Sequence, residues 1–193
     1  RRLDRLISDI SDASRLDAEL ARRDAEPVDL AALLEAVVEL QRELSRRDGI
    51  KITLKVDTKT VRGGRDAYLV NGHDSRISQI FTNLLDNARS FSPEGSTIAV
   101  TARRREGEVE VVVDDQGPGI TAEKIERIFE RFYTDRPEIE GFGDNSGLGL
   151  SISRQIVEAH RGTISAENRT VSDDGQTHIA GARFIVRLPA LTA

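Results

Sequence analysis

Residues 77–91 constrain this chain more than any other stretch. Ile77, Ile80, Phe81, Leu84, Leu85 and Ala88 recur at steps of three and four, which predicts a helix with one apolar face. Asn83 and Asn87 stand four apart within it, so their carboxamides stack one turn above the other. Asparagine is a mediocre helix former, because its side chain competes for nearby backbone groups. Two in the middle of one helix suggest a task. A carboxamide oxygen is a neutral, hard ligand suited to Mg2+, an ion that keeps several waters and borrows oxygens from phosphates. Taken alone, the stretch leaves open the plainer alternative of two solvated asparagines on a polar face.

Elsewhere the period changes to two. Ile50, Ile52, Leu54 and Val56 alternate with Lys51, Thr53 and Lys55, a half-buried strand. Residues 97–102 and 108–113 alternate likewise and flank Arg105-Glu106-Gly107, a hairpin. Residues 163–167 and 183–188 read as two more strands with a polar turn over 170–178. Tyr68 to Val70 reads as a short strand, with turns at Gly63-Gly64 and Asn71-Gly72. Helical spacing returns from Asp29, a candidate cap, to Gly49, a candidate stop. It also returns over Thr121–Phe129, with Thr121 as cap, and over Ser151–His160. The expected fold class is α+β: a two-layer sandwich of a mixed, mostly antiparallel sheet covered by helices on one face.

Ahead of this unit, residues 1–24 carry Leu3, Leu6, Ile7, Ile10, Ala13, Leu16 and Leu20 at helical steps. Such a stripe needs a surface to bury it, and a second copy of the chain is the obvious candidate. Pro27 marks a boundary, since the residue before proline resists helix. The expected division is therefore a helical segment, 1–25, and a globular domain, 26–193. The chain opens Arg1-Arg2-Leu3, without methionine and already in a helical pattern, as expected of a piece of a longer protein with room for a membrane anchor upstream.

Composition excludes several functions. Acidic residues number 33 against 28 basic ones, a net charge of -5, which argues against nucleic acid as a partner. With no cysteine, disulfides, thiol chemistry and cysteine-ligated zinc are excluded. No apolar run approaches the roughly 18 residues of a membrane span, and no signal peptide is visible.

Three further motifs bear on chemistry. Val111-Val-Val-Asp-Asp-Gln-Gly-Pro-Gly119 is a strand running into a turn. Gly117 and Gly119 there let backbone approach a ligand closely, and Asp115 at the strand end can accept from an amine. Gly147-Leu148-Gly149-Leu150 opens a helix, whose first amides make an anion site fit for phosphates. Between them residues 134–147 are polar and glycine-rich, without periodicity, as expected of a mobile lid. Each motif alone is weak. In this order, behind the asparagine helix, they make a base acceptor, a metal-ligand pair, a lid and a phosphate cradle: a purine nucleotide site.

The same residues resemble the ATP-binding domain of sensor histidine kinases, in the wider gyrase, heat-shock and MutL ATPase superfamily with its Bergerat fold. Asn83-Leu-Leu-Asp-Asn87-Ala88 resembles the family's N box and Asp115-Gln-Gly117-Pro-Gly119 its first glycine box. Ile128-Phe-Glu-Arg-Phe-Tyr133 resembles its F box and Ser146-Gly-Leu-Gly-Leu150 its second glycine box. Glu158-Ala-His160-Arg-Gly162 and Phe184-Ile-Val-Arg-Leu188-Pro189 match the closing stretches, so the resemblance covers residues 26–190. The loop around Phe132 to Gly147 and the stretch Leu3 to Ala13 resemble the ChvG/ExoS-type members in particular.

The resemblance implies roles. Asn87 would hold Mg2+, with Asn83 assisting at the phosphates of ATP. Asp115 would take the adenine amino group, in a pocket bounded by Gly117 and Gly119. Arg131 and Arg136 would meet the phosphates from the lid side, and Gly147, Leu148, Gly149 and Leu150 would carry the phosphate-facing backbone. Phe129, Phe132 and Tyr133 would pack the lid base. Hydrolysing members of the superfamily carry a glutamate at the place of Asn83. A carboxamide cannot act as general base, which points to phosphoryl transfer rather than hydrolysis. The function implied is that of a protein histidine kinase passing phosphate to a response regulator receiver domain. The chain would be the cytoplasmic part of an inner-membrane-anchored parent, dimerising through the N-terminal helix. Two rivals are an anti-sigma-factor-type serine kinase and a non-catalytic relay module.

There are departures. Ser90 stands where the family often has Lys or Arg, and Arg89 beside it faces elsewhere on the helix. Ala182 stands where many members have threonine. The phosphoacceptor pattern, a helical histidine followed by an acid, is missing: of His73, His160 and His178 only His73 precedes an acid, and it lies outside the first helix. All three are expected to be structural or surface residues.

Overall fold

The computed structural model describes residues 25–46, 48–57, 64–133, 147–173 and 176–191. The helix expected over 1–24, the lid expected over 134–146 and with it Arg136 lie outside the described residues.

Strand β1 (Glu26–Asp29) pairs antiparallel with β3 (Leu69–Gly72), Pro27 opposite Asn71. The sequence reading is corrected at one turn: Asn71-Gly72 lies inside a strand, while Glu26 before Pro27 is extended, as the residue before proline prefers. Pro27 lies in the edge strand of this ribbon, where a missing N–H costs no ladder bond on the outer side, while β3 bridges Ala190 on its other side. Asp29 then caps helix α1 (Leu30–Ser45), its Oδ1 accepting the Ala32 N–H at 3.0 Å.

The main sheet has five strands: β2 (Lys51–Val56), β4 (Thr97–Arg105), β5 (Glu108–Asp114), β6 (Thr163–Asp173) and β7 (Gln176–Pro189). Their order is β2-β4-β5-β7-β6. Only β2 and β4 run parallel; the other pairs are antiparallel. Alternate residues point to one side, where Ile52, Ile98, Val100, Val111, Phe184 and Val186 are buried. They share one core with Leu30 and Leu34 of α1, Ile77, Ile80, Phe81 and Leu84 of α2 (Asp74–Phe91), and Ile152, Ile156 and Val157 of α3 (Gly149–Ala159). The two-layer α+β sandwich with helices on one face is the observed fold.

Among the described residues, the opposite face carries a buried charge. Glu110 is 2% exposed and receives Arg105 Nε and Arg187 Nε, each at 2.9 Å. Burial pushes its carboxyl up, and the two guanidiniums together outweigh that and hold it below the ordinary range.

Two elements differ from expectation. The polar turn expected over 170–178 is shorter than that, because β6 and β7 continue pairing to Asp173 and Gln176, past a bulge at Arg169/Thr170. This extension is mostly polar, with Val171 and Ile179 exposed, so it shows no apolar alternation. Thr121–Phe129 is two 3-10 turns, Ala122–Lys124 and Arg127–Phe129, and the Thr121 side chain makes no cap bond. Of those two turns only Phe129 is buried, too little to fix a helix so short.

Candidate functional site

Strand β5 ends at Asp114, and the next residue, Asp115, is 2% exposed. Its Oδ1 accepts two backbone N–H groups, from Gly117 and Ala182, both at 2.8 Å. The Asp115 N–H donates to the Ala182 carbonyl at 3.0 Å, and Arg169 Nη1 donates to the Asp115 carbonyl at 2.7 Å. Gly181 makes this close approach possible: a Cβ there would lie 2.0 Å from the Asp115 carbonyl oxygen. Among the described residues, the Asp115 side chain takes both of its hydrogen bonds at Oδ1 and none at Oδ2. Burial raises its carboxyl above the usual range; the Ala182 and Gly117 amides and the Arg169 charge act the other way. A buried carboxylate with one oxygen anchored and one open is a seat for an N–H donor. Asp114 faces the other side of the sheet and is gripped by Arg183 Nε and Nη2 at 2.7 and 2.9 Å.

The turn after Asp115 is confined on both sides. A Cβ on Gly117 would meet the Phe91 carbonyl oxygen at 2.9 Å, which sets this turn against the end of α2. Gly119 has φ +79, and a Cβ there would meet Ile179 Cγ2 at 2.4 Å and Asn168 Oδ1 at 2.7 Å. Asn168 clamps the next residue: its Oδ1 accepts the Ile120 N–H and its Nδ2 donates to the Ile120 carbonyl, both at 2.7 Å. The sequence reading missed Asn168, Arg169, Ile179 and Gly181. All belong to the β6–β7 hairpin, and Gly181 next to an apolar alternation was the signal that some backbone comes close there.

Asn83 and the start of α3 meet directly. Asn83 Nδ2 donates to the Gly149 carbonyl at 3.0 Å and to Ser153 Oγ at 3.3 Å. Among the described residues the carboxamide of Asn87, one turn on, makes no hydrogen bond; its backbone carbonyl accepts Ser90 Oγ at 2.9 Å. Leu148 is buried and Leu150 half-buried. The Gly147 carbonyl accepts the Phe132 N–H at 3.1 Å, which ties the start of α3 to the F-box stretch. Arg131 is exposed. So Asn83 and Gly149 are in contact, Asp115, Gly117 and Gly119 share one turn, and Gly117 lies against the end of the helix that carries Asn87.

The aromatic stretch divides. Phe129 packs edge-on against Phe184, ring centroids 6.4 Å apart, with the Arg154 guanidinium 4.5 Å over its ring. Tyr133 is half-buried under Arg127 at 5.0 Å. Phe132 departs from the expectation that all three pack: it is 58% exposed, on a backbone with φ 64. Arg89 reaches Asp48 at 2.8 Å and Gln41 at 3.2 Å, so it is committed to α1 and does not fill the place of a cation at Ser90.

Comparison with known proteins agrees with this geometry. Residues 72–192 match the family described as histidine kinase-, DNA gyrase B-, and HSP90-like ATPase. The sensor protein ChvG of Agrobacterium fabrum is 57% identical over 192 residues, 98% of this chain and 31% of that protein. The chain thus spans about a third of the length of the curated relatives it matches. Among solved structures, full-length ShkA in complex with AMPPNP is 28% identical, with a TM-score of 0.76 over 97% of this chain and 36% of that one. The histidine kinase ThkA in complex with the response regulator TrrA is 27% identical, with a TM-score of 0.71 over 98% of this chain and 48% of that one. These relatives are sensor kinases, which favours that reading over a serine kinase or a relay module. The chain belongs to the family of histidine kinase-, DNA gyrase B- and HSP90-like ATPases, among the catalytic domains of sensor histidine kinases.

Proposed function

We propose that this chain binds ATP and Mg2+ and presents the γ-phosphoryl group to a histidine of its parent sensor kinase, which passes it to an aspartate on a response regulator receiver domain. The observation that carries the reading is Asp115, a buried carboxylate with Oδ1 held by two amides and Oδ2 left for a donor such as the adenine amino group. Gly117 and Gly119 bound the pocket for the base. Gly147, Leu148, Gly149 and Leu150 offer the amides at the start of α3 to the phosphates. Arg131 and Arg136 approach from the lid side.

Asn87 fits a Mg2+ ligand, because its carboxamide is unengaged among the described residues and stands one turn from Asn83. Mg2+ held there would neutralise charge on the phosphates. Asn83 steadies the phosphate side of the site and supplies no base for water. The domain's contribution is position: the imidazole of the acceptor is itself a nucleophile. Residues 1–25 would be the remnant of the helical hairpin through which the parent dimerises, with 26–193 the catalytic domain. By the kind of relatives it has, the parent would be anchored in the inner membrane with this part cytoplasmic. Among the described residues, no helix is long and apolar enough to cross a membrane.

Isothermal titration of the chain with ATP, with and without Mg2+, tests the reading. Binding should require Mg2+ for full affinity, and Asn87→Ala should remove that gain while the fold survives. Equal affinity with and without the ion would sink the metal-ligand assignment.

A further inference from the structure

We propose that Ser153 is a positioning residue for this site, acting through Asn83; the inference rests on reading the site as one for ATP and Mg2+. Ser153 lies one turn into α3 and has no exposed surface. A serine buried between two helices is costly unless its hydroxyl is bonded. Its Oγ donates to the Gly149 carbonyl at 2.9 Å and accepts from Asn83 Nδ2 at 3.3 Å. Asn83 Nδ2 also donates to the Gly149 carbonyl at 3.0 Å.

The Asn83 amide is therefore tied to two oxygens of α3 that lie 2.9 Å from each other, on the same side of Nδ2. That fixes the plane of the carboxamide and leaves Oδ1 on the side away from both. A flipped carboxamide would set Oδ1 against the Gly149 carbonyl, oxygen to oxygen, so only one orientation is allowed. Among the described residues Oδ1 has no hydrogen-bond partner. It is the atom free to accept from a water on the metal, since an amide oxygen has no hydrogen to give a phosphate oxygen.

Ser153 thus decides how firmly Oδ1 is aimed. With alanine at 153, the carboxamide is held by the Gly149 carbonyl alone. The same pair of acceptors also bears on what position 83 can be. A carboxylate there would face the Gly149 carbonyl with no hydrogen to offer. Gly149 and Ser153 together select a donor and disfavour the acid that would activate water.

A double-mutant cycle on the whole chain tests this, with titration of ADP in EDTA and of ATP with Mg2+. Metal-free ADP reads the base pocket; the extra affinity of ATP with Mg2+ reads the asparagine side. Ser153→Ala should reduce that extra affinity about five- to tenfold, roughly 1 to 1.4 kcal/mol at 1.4 kcal/mol per decade, and change ADP binding less than twofold. In an Asn83→Ala background it should change neither. Ser153→Thr keeps a hydroxyl on the same carbon and should retain most of the gain. If Ser153→Ala does not fold, Ser153→Cys, whose thiol fills the site but bonds weakly, carries the same comparison. An equal loss in both backgrounds, or a parallel loss of ADP affinity, would show a merely structural serine and overturn the proposal. An unmutated chain that binds neither nucleotide would overturn it together with the reading of the site.

Discussion

His160 Nε2 accepts the backbone N–H of His73 at 3.1 Å, while His160 Nδ1 donates to the Ile156 carbonyl at 2.7 Å. These bonds join the end of α3 to the start of α2, the two helices that carry Gly149 and Asn83. They also define the ring as neutral, since a protonated imidazole would turn an N–H against the N–H of His73. Burial lowers the His160 pKa, and the charge on His73 lowers it further, against the opposing bond to Ile156. With the folded value below the unfolded one, the unfolded state binds more protons in acid. The stability His160 contributes is therefore present above the unfolded value and is lost as pH falls from about 6.5 through the lowered folded value. Thermal melting between pH 7.5 and 5.5 should show a larger loss for the unmutated chain than for His160→Gln, and equal losses would contradict it.

Gly72 is the space that this contact needs. A Cβ on Gly72 would come within 2.4 Å of His160 Cδ2 and 2.7 Å of Ile77 Cδ1. Gly72→Ala should destabilise the chain by about 1–3 kcal/mol, the usual range for overpacking. Urea unfolding measures it; a change below about 0.5 kcal/mol, as at surface positions, would mean that the ring moves aside freely.

Asp115 gives a prediction on base selection. The Asp115→Asn side chain can keep Oδ1 on the Gly117 and Ala182 amides, which places an NH2 where Oδ2 stood. That turns the acceptor for the adenine amino group into a donor, suited to a carbonyl. Loss of a charged hydrogen bond of roughly 1.5–3 kcal/mol should weaken ATP about ten- to a hundredfold and shift preference toward GTP. Because the folded pKa of Asp115 is raised, the stability it contributes is present at low pH and fades as pH rises through that value. Asp115→Asn should accordingly stabilise the nucleotide-free fold at neutral pH while it weakens ATP. A variant that keeps its preference for ATP would remove Asp115 from the base pocket.

How much of this was legible in the sequence depended on whether a residue's reason was local. The α2 helix, its apolar face and the pairing of Asn83 with Asn87 follow from spacing alone. The Asp29 cap follows from the preference of the first turn for a side-chain oxygen. Asp115 was legible as a strand end beside glycines, and the family's boxes named its task. What stayed hidden was held by partners far along the chain. Asn168 clamps Ile120, 48 residues away, and Arg169 reaches the Asp115 carbonyl, 54 residues away. These lie on a hairpin whose polar extension has no alternation to reveal it. Asn71-Gly72 misled because its local preference is for a turn, while the ribbon of β1 and β3 overrode it. The commitment of Arg89 to Asp48 and Gln41 could be placed only once α1 and α2 were packed together.

Glu110 predicts an asymmetry on the open face of the sheet. Removing its charge with Glu110→Gln leaves Arg105 and Arg187, whose side chains are 54% and 38% exposed and can turn to water. Removing both arginines leaves a carboxylate buried without a partner. The double change Arg105→Ala and Arg187→Ala should cost about 3 kcal/mol or more, and Glu110→Gln clearly less. The lowered pKa gives a second sign: Glu110 stabilises the fold above its unfolded value, and that stability is lost as pH falls through the lower folded one. Urea unfolding at pH 7 and pH 4 measures both. Equal costs for the two changes would show that the carboxylate reaches water by itself.

The last prediction concerns phosphoryl transfer by the chain on its own, and it rests on the proposed function. An acceptor histidine must offer a free ring nitrogen to the γ-phosphorus. His160 has both nitrogens engaged, with Ile156 and His73. His73 is the residue before α2, its ring edge-on to that of His160 with centroids 5.7 Å apart. His178 is exposed, on the extension of β7 opposite Val171 rather than on a helix. Asn83, with its amide tied to α3, offers no base to a water. Incubation with γ-labelled ATP should therefore leave negligible acid-labile label on the chain and release phosphate slowly at most. Adding a helical hairpin with an acceptor histidine should restore labelling, faster when fused than in trans because of effective concentration. Strong acid-labile label on the chain alone, mapped to His73, His160 or His178, would show that an acceptor was within reach after all.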